Sequence, residues 1–332
     1  MLHTRLTEEY GLEIPFISAG MAFVAMPPLV AAVSNSGGMG TLGAALVPPD
    51  GLRALIGAIK SMTSRPFGVN FITQFATDAH IDVCIEENVP VVSFFWNEPP
   101  KGFISKLHNA GLKAWMQVGS VQEALDAVGA GVDAVIVQGS EAGGHNRSTA
   151  STLTLVPAVV DAVGSVPVIA SGGIADGRGI VAALALGAEA VWVGTRMVAS
   201  EEANAHAEYK RRIVAASAID TTRTTLFGPE WPDQPIRVMR NRVVNEWSGR
   251  EIEAGASTEP GQVIGQTVLG GQAIPLPKFS ALLPTPETTG DFEEMCLIAG
   301  ESAGLIHEIR PAGEIIASMM QEARQITEQR LH

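Results

Sequence analysis

The sequence predicts a (β/α)8 barrel with an irregular or helical insertion after its eighth strand, and three observations predict it. Short β-branched apolar runs alternate eight times with segments of helical period between Ile14 and Gly194. Glycines and polar side chains gather at the C-terminal ends of those runs, which is where such a barrel carries its chemistry. The turn after the first run, Ala19-Gly20-Met21-Ala22-Phe23, lacks the GxGxxG pattern of a doubly wound sheet, the other architecture with this rhythm.

Ile14 to Ser18 reads as the first strand, and it ends at Ala19, Gly20 and Met21. Pro27 and Pro28 open a helix that runs through Val33 and stops at Gly37-Gly38, proline at the start and glycine past the end. Met39 to Leu46 is the second strand. The helix Asp50 to Met62 puts Leu52, Leu55, Ile56 and Ile59 on one face. Pro66 to Ile72 is the third strand, with the polar Asn70 near its end. Strands Val89–Phe95, Lys113–Val118 and Ala134–Val137 then alternate with helices Ile81–Glu87, Phe103–Asn109 and Val121–Val128. Helix Leu153–Val163, strand Val166–Ala170, helix Gly179–Leu186 and strand Ala190–Gly194 complete the set.

After Ser200 the rhythm stops. Ala203 to Ala216 reads as helical, Asp220 to Pro286 is rich in Gly, Pro and Thr without a clear βα unit, and residues 205–300 are expected to form an irregular or helical insertion covering the barrel mouth. Residues 1–204 and 301–332 would then form the barrel, the latter as closing helices interrupted at Pro311.

Composition narrows the classes of function. Of 332 residues, 46% are hydrophobic and 17% charged, which favours a large buried core over disorder. A net charge of -13 argues against nucleic acid or an anionic membrane as partner, while leaving room for a small anion held by backbone dipoles. Cys84 and Cys296 are the only cysteines, so neither a disulfide framework nor a cysteine-rich metal site is expected, and no metal is assigned. A reducing cytoplasm is expected from the same count. Met1 to Glu9 has no apolar core of a signal peptide. The apolar stretch Ile180–Val198 contains Glu189 and Arg196 and divides into a helix and a strand, so no membrane span is expected. A homodimer is compatible with this sequence.

The strand tips carry the chemistry. After the sixth strand come Gln138, Gly139, Gly143, Gly144 and His145. Glycines there let a flat ligand approach the backbone; Gln138 offers donors and an acceptor, and His145 can exchange a proton near neutral pH. A tight turn with a helix-capping histidine would look similar in isolation. Two more glycine-bearing tips, Ser171-Gly172-Gly173 and Gly194-Thr195, follow in the order in which a barrel builds a phosphate site. With Met21, Asn70, Gln117 and Gln138 around the mouth, a flavin mononucleotide fits: phosphate at strands seven and eight, ring across the centre. Trp96, Trp231 and Trp247 either line a substrate pocket or fill the insertion core. The other histidines (His3, His80, His108, His206, His307, His332) read as surface or packing residues, and Asp176 as a helix cap.

Gln138-Gly-Ser-Glu-Ala-Gly-Gly-His145, Pro66-Phe-Gly-Val-Asn70, Ala170-Ser-Gly-Gly-Ile-Ala-Asp-Gly177 and Val193-Gly-Thr-Arg196 together resemble the nitronate monooxygenases. The resemblance spans nearly the whole chain, including Val91-Val-Ser-Phe94 and Ile306-His-Glu-Ile-Arg-Pro-Ala-Gly313. It implies an FMN-containing barrel that oxidises alkyl nitronates with O2, to carbonyl compound and nitrite, without a metal. It matches His145 to the family's catalytic histidine, and Gly172, Gly173, Gly194 and Thr195 to its phosphate cradle. Ala19, Gly20, Met21, Asn70, Gln117, Gln138, Gly143, Gly144 and Ser171 are the further cofactor contacts expected. Two sister groups share the motifs: flavin-dependent enoyl-acyl-carrier-protein reductases and NAD(P)H:quinone reductases. A flavin-binding protein without catalysis is the remaining reading. The chain departs from the family at Phe95-Trp96-Asn97-Glu98-Pro99, where a glycine-containing turn is usual, and at Phe227 to Asp233.

Overall fold

The computed structural model describes residues 2–228, 231–257, 262–269 and 271–330. Eight parallel strands form the barrel: β1 (Phe16–Ser18), β2 (Gly40–Gly43), β3 (Phe67–Ile72), β4 (Val91–Phe95), β5 (Lys113–Val118), β6 (Ala134–Gln138), β7 (Val168–Ser171) and β8 (Ala190–Val193). They follow one another in sequence order, and β8 returns to pair with β1. The last seam, β1 to β2, is held by Ser18 N–H to Met39 O at 3.0 Å and Met39 N–H to Phe16 O at 2.9 Å. Every expected strand and helix of the barrel is present, with ends shifted by a few residues.

Burial alternates along each strand. Ile17, Met39, Val91, Trp115, Ile136, Ile169 and Trp192 face one another inside the barrel, while neighbours such as Phe16, Val92, Met116, Val135, Ala170 and Val191 pack outward under the helices. The N-terminal end is plugged by the helix Arg5–Tyr10, whose Leu6 and Tyr10 join the inner cluster. Tyr10 meets Trp115 edge-on at 5.1 Å, and its hydroxyl accepts the indole N–H of Trp115 at 2.9 Å.

The C-terminal helix Ala312–Arg330 begins immediately after Pro311 and packs between the helices Gly177–Ala185 and Pro27–Asn35, completing the outer ring. Buried Arg196 ties this return in place by donating to the carbonyls of Ala199 and Glu308, at 3.2 and 3.1 Å. Burial pushes its guanidinium down to about 10.

Residues 205–300 contain helices Ala207–Ala215, Arg242–Trp247 and Glu251–Ser257, together with two small antiparallel sheets. In the first, Ile236–Met239 pairs with Thr221–Thr224 on one side and with Gly144–His145 on the other. In the second, Val263–Leu269 pairs with Gln272–Pro277 and Thr289–Gly290. Strands of two to seven residues pairing across a long insertion leave little periodic trace in sequence. Among the described residues no helix is long and apolar enough to cross a membrane.

Tyr10→Phe should leave the buried Trp115 N–H without a partner and cost about 1–3 kcal/mol. Urea unfolding is the measurement: the midpoint should fall at unchanged slope. An unchanged midpoint would show that the plug does not depend on this bond.

Candidate active site

The alternation that builds the barrel also builds its mouth. Register places Gly43 beside Asn70, Asn70 beside Ser93, Phe95 beside Gln117, and Gln138 beside Ser171, so these inward positions converge at the C-terminal rim. There they border a cavity of about 360 Å³. The residues singled out from the strand tips line it, Gly139 excepted: Ala19, Gly20 and Met21 after β1, Asn70, Gln117 and Gln138 on β3, β5 and β6, Gly143, Gly144 and His145 beyond β6, Ser171, Gly172 and Gly173 at β7, and Gly194 and Thr195 after β8.

The glycines are there for different reasons. A Cβ on Gly20 would lie 2.3 Å from the Cβ of Asn70, and one on Gly143 would lie 2.5 Å from the backbone N of Gly300. Gly139 is likewise closed off by Thr152. At these positions the missing side chain admits another part of the protein, which corrects the expectation that the glycines beyond β6 all open the backbone to a ligand. Gly172 and Gly173 instead have φ of +108° and +76°, a conformation that glycine adopts without strain. A Cβ on Gly194 would stand no closer than 3.6 Å to any other group.

The anion end is equally specific. The helix Gly177–Ala185 spends its first amides on protein carboxylates: Gly179 N–H on Asp176 at 3.1 Å and Gly177 N–H on Glu322 at 2.8 Å. Asp176 is thus the cap expected of it, and that helix start is closed to a ligand. The short helix Thr195–Val198, which follows Gly194, borders the cavity in its place. Thr195 Oγ1 accepts from Gly300 N–H at 3.0 Å, leaving its O–H to donate. Ser302, six per cent exposed, adds a hydroxyl to the cavity wall from a segment far along the chain. Left-handed glycines, two hydroxyls and a short helix start, joined to a deep mouth, fit a ligand with a phosphate at one end and a flat ring at the other.

His145 sits opposite. Its backbone belongs to the two-residue strand Gly144–His145, paired to Ile236–Arg237 of the insertion, and its carbonyl accepts from Gln138 Nε2 at 3.2 Å. Asn146, fully buried, donates to the carbonyls of Gly139 and Ala142 and so staples the loop. The ring lies against Trp231 at 4.6 Å and Trp96 at 5.7 Å, and its Nε2 is buried without a hydrogen-bond partner. Burial pushes the imidazole down to about 4, so it is neutral at physiological pH.

Trp96 and Trp231 therefore belong to the site, whereas Trp247 packs on Phe279 at 5.4 Å inside the insertion. Pro229 and Glu230, within the unfamiliar Phe227–Asp233 segment, lie outside the described residues, as does His332. No other described histidine lines the cavity. Asn70 donates to Ser93 Oγ at 2.9 Å while bordering the mouth, so it does structural work as well. Tyr209, Leu282, Ile298 and Ser302 also line the mouth. They carry no local signal, because they reach it only through the insertion's return.

A barrel with a neutral histidine and a glycine-lined mouth in one cavity is the site of an enzyme, an oxidoreductase. The family model for nitronate monooxygenase matches residues 3–81 and 72–322, and the chain belongs to that family. It is 34% identical to a (3aS,4S,5R,7aS)-5-hydroxy-7a-methyl-1-oxo-octahydro-1H-indene-4-carboxyl-CoA dehydrogenase of Mycobacterium tuberculosis, over 97% of this chain and 96% of the relative. Among solved structures it is similar to FabK from Thermotoga maritima, with TM-score 0.83 and 38% identity over 99% and 98% of the two chains. A nitroalkane oxidase from Streptomyces ansochromogenes is similar at TM-score 0.78 and 27% identity, over 98% and 99%.

The His145 imidazole should stay neutral where an ordinary histidine titrates. Its Cε1–H resonance, assigned by its loss in His145→Gln, should not move between pH 8 and about 5.5. Because the folded-state value lies below the unfolded one, the unfolded chain binds the extra proton first. Stability is therefore full above about pH 6.5 and falls as pH drops towards 4, less steeply in His145→Gln. A resonance midpoint near 6.5 would contradict the burial.

Proposed function

We propose that the chain is an FMN-dependent enzyme that oxidises alkyl nitronates with O2 to carbonyl compound and nitrite. The observation that carries this reading is the meeting, in one cavity, of the glycine cradle and a neutral, unpartnered histidine. Gly172, Gly173, Gly194, Thr195 and Ser302 would hold the phosphate. Ala19, Gly20, Met21, Asn70, Gln117, Gln138, Gly143, Gly144 and Ser171 would border the rest of the cofactor. Bound there, FMN supplies the electron acceptor that no side chain of this protein can replace.

The protein's own part is orientation, proton handling and exclusion of water. A neutral His145 is ready to accept a proton from a nitroalkane, the step that turns it into the nitronate. Trp96 meets the imidazole edge-on and Trp231 lies tilted against it, so the two indoles wall the ring off from water and narrow the approach of a substrate. Residues 205–300 act as a lid: Tyr209, Leu282 and Ile298 wall the mouth and keep bulk water from it.

A second reading, an NAD(P)H-dependent reductase, is favoured by one observation: a larger cavity of about 1130 Å³ adjoins the mouth and gives room for a second reactant. Anaerobic addition of NADH or NADPH separates the two, because only the reductase bleaches its flavin.

Mass spectrometry of the released chromophore should find FMN; FAD, or no flavin after reconstitution, would remove the basis of the proposal. His145→Asn keeps a polar side chain and removes the titratable proton. Activity on neutral nitroalkane should fall about 10²–10⁴-fold, that on preformed nitronate much less, with FMN content unchanged. Equal losses on both substrates would assign His145 to positioning alone.

A further inference from the structure

Strained backbone gathers at the mouth. Among the described residues, four bulky side chains stand on a left-handed φ: Phe23 at +62°, Leu46 at +61°, Trp96 at +73° and Phe279 at +65°. Leucine and the aromatic residues rarely adopt this conformation, and it persists only where the surroundings impose it. Phe23 and Leu46 line the cavity, and Trp96 meets His145 edge-on.

Both cavity positions are imposed by other parts of the chain. Phe23 sits in a turn closed by Val24 N–H and Ala25 N–H on Met21 O, at 3.1 and 2.9 Å, and Asn204 Nδ2 donates to Phe23 O at 2.8 Å. Leu46 is followed by Val47, whose carbonyl accepts from His80 Nε2 at 2.8 Å. His80 is buried, and its Nδ1 accepts Thr77 N–H at 3.1 Å, which leaves the ring proton on Nε2. The two loops are laced together, Gly43 N–H donating to Ala25 O at 3.2 Å. Strand β2 stands four strands round from β6 in a ring of eight, so this pair faces His145 across the mouth.

Packing does not account for the pair. Leu46 is 61% exposed and Phe23 only half-buried, so neither side chain gains from the resting fold what its backbone conformation costs. The walls around them limit what could cover them. Ile72 and Phe75, after β3, continue the apolar surface, and among the described residues no Lys, Arg, Asp or Glu lines this cavity. A permanent charge on the far end of a ligand would be desolvated there without a counter-ion, which is strongly unfavourable.

We propose that Phe23 and Leu46 are specificity-determining residues that grip an apolar, branched end of the substrate, and that they reject a substrate carrying a carboxylate at that end. The inference rests on the reaction proposed for the mouth and specifies which nitroalkanes enter it.

The test uses two nitroalkanes of one length and shape, 4-methyl-1-nitropentane and 4-nitrobutanoate, which end in an isopropyl group and a carboxylate. In the flavin-loaded enzyme kcat/KM should favour the first by about a hundredfold. Asparagine accepts left-handed φ but offers no apolar surface, so Phe23→Asn and Leu46→Asn should each cut that ratio about tenfold, by a rise in KM for the apolar substrate. The melting midpoint of Leu46→Asn should hold or rise, whereas loss of a leucine kept for packing would lower it. Leu46→Lys should improve 4-nitrobutanoate about tenfold by supplying the missing counter-ion. Titration calorimetry with the inert ketones 5-methylhexan-2-one and 4-oxopentanoate, which carry the same two ends, reads the preference without turnover. A wild-type ratio near one, a ratio that both asparagine variants leave intact, or a lowered midpoint in Leu46→Asn would overturn the proposal. Selective binding of the apolar ketone without oxidation of either nitroalkane would instead sink the reaction assigned to the mouth and leave the specificity standing.

Discussion

Everything at the mouth depends on the pleat of eight parallel strands. Side chains alternate in and out with period two, so a slip of one residue in any strand would carry its mouth residue to the outer face. Asn70, Gln117, Gln138 and Ser171 all fall on the inward phase that Val91, Trp115, Ile136 and Ile169 set deeper in the barrel. The apolar layers below thus fix where the polar layer above must point. The plug of Leu6 and Tyr10 closes the far end, leaving the C-terminal side as the open end.

Onto that rigid floor the insertion adds the parts that the barrel cannot supply. Its strand Ile236–Met239 pairs with Gly144–His145, so backbone hydrogen bonds rather than side-chain contacts hold the histidine in place. Arg237 reinforces the link by donating to Ser140 O at 3.0 Å. The two indoles then desolvate the ring, which is the physical cause of its lowered affinity for a proton. A buried Nε2 without a partner is costly in a resting protein, and such cost is most at home in a site built to meet a ligand.

Membership of the nitronate monooxygenase family does not by itself choose a substrate. The chain is similar across its length both to an indene-carboxyl-CoA dehydrogenase and to a nitroalkane oxidase. In this chain the segment Phe95 to Pro99 and Trp231 lie beside the mouth and His145.

The sequence by itself determined the barrel, its closing helix and the strand-tip residues, because each is written locally. Period-two runs, helical stripes, proline starts and glycine stops need no distant partner to be read. The glycine tips after β7 and β8 were legible for the same reason, and the left-handed backbone at Gly172 and Gly173 is one that glycine adopts without strain. Only the tertiary structure decided which glycines make room for protein, as Gly20 and Gly143 do. It also decided that Glu322 takes the first amide of the helix after β7, and that Trp96 and Trp231 rather than Trp247 enclose His145. Those outcomes depend on segments about 50 to 160 residues apart in the chain meeting in space, and side-chain periodicity carries no information about such meetings.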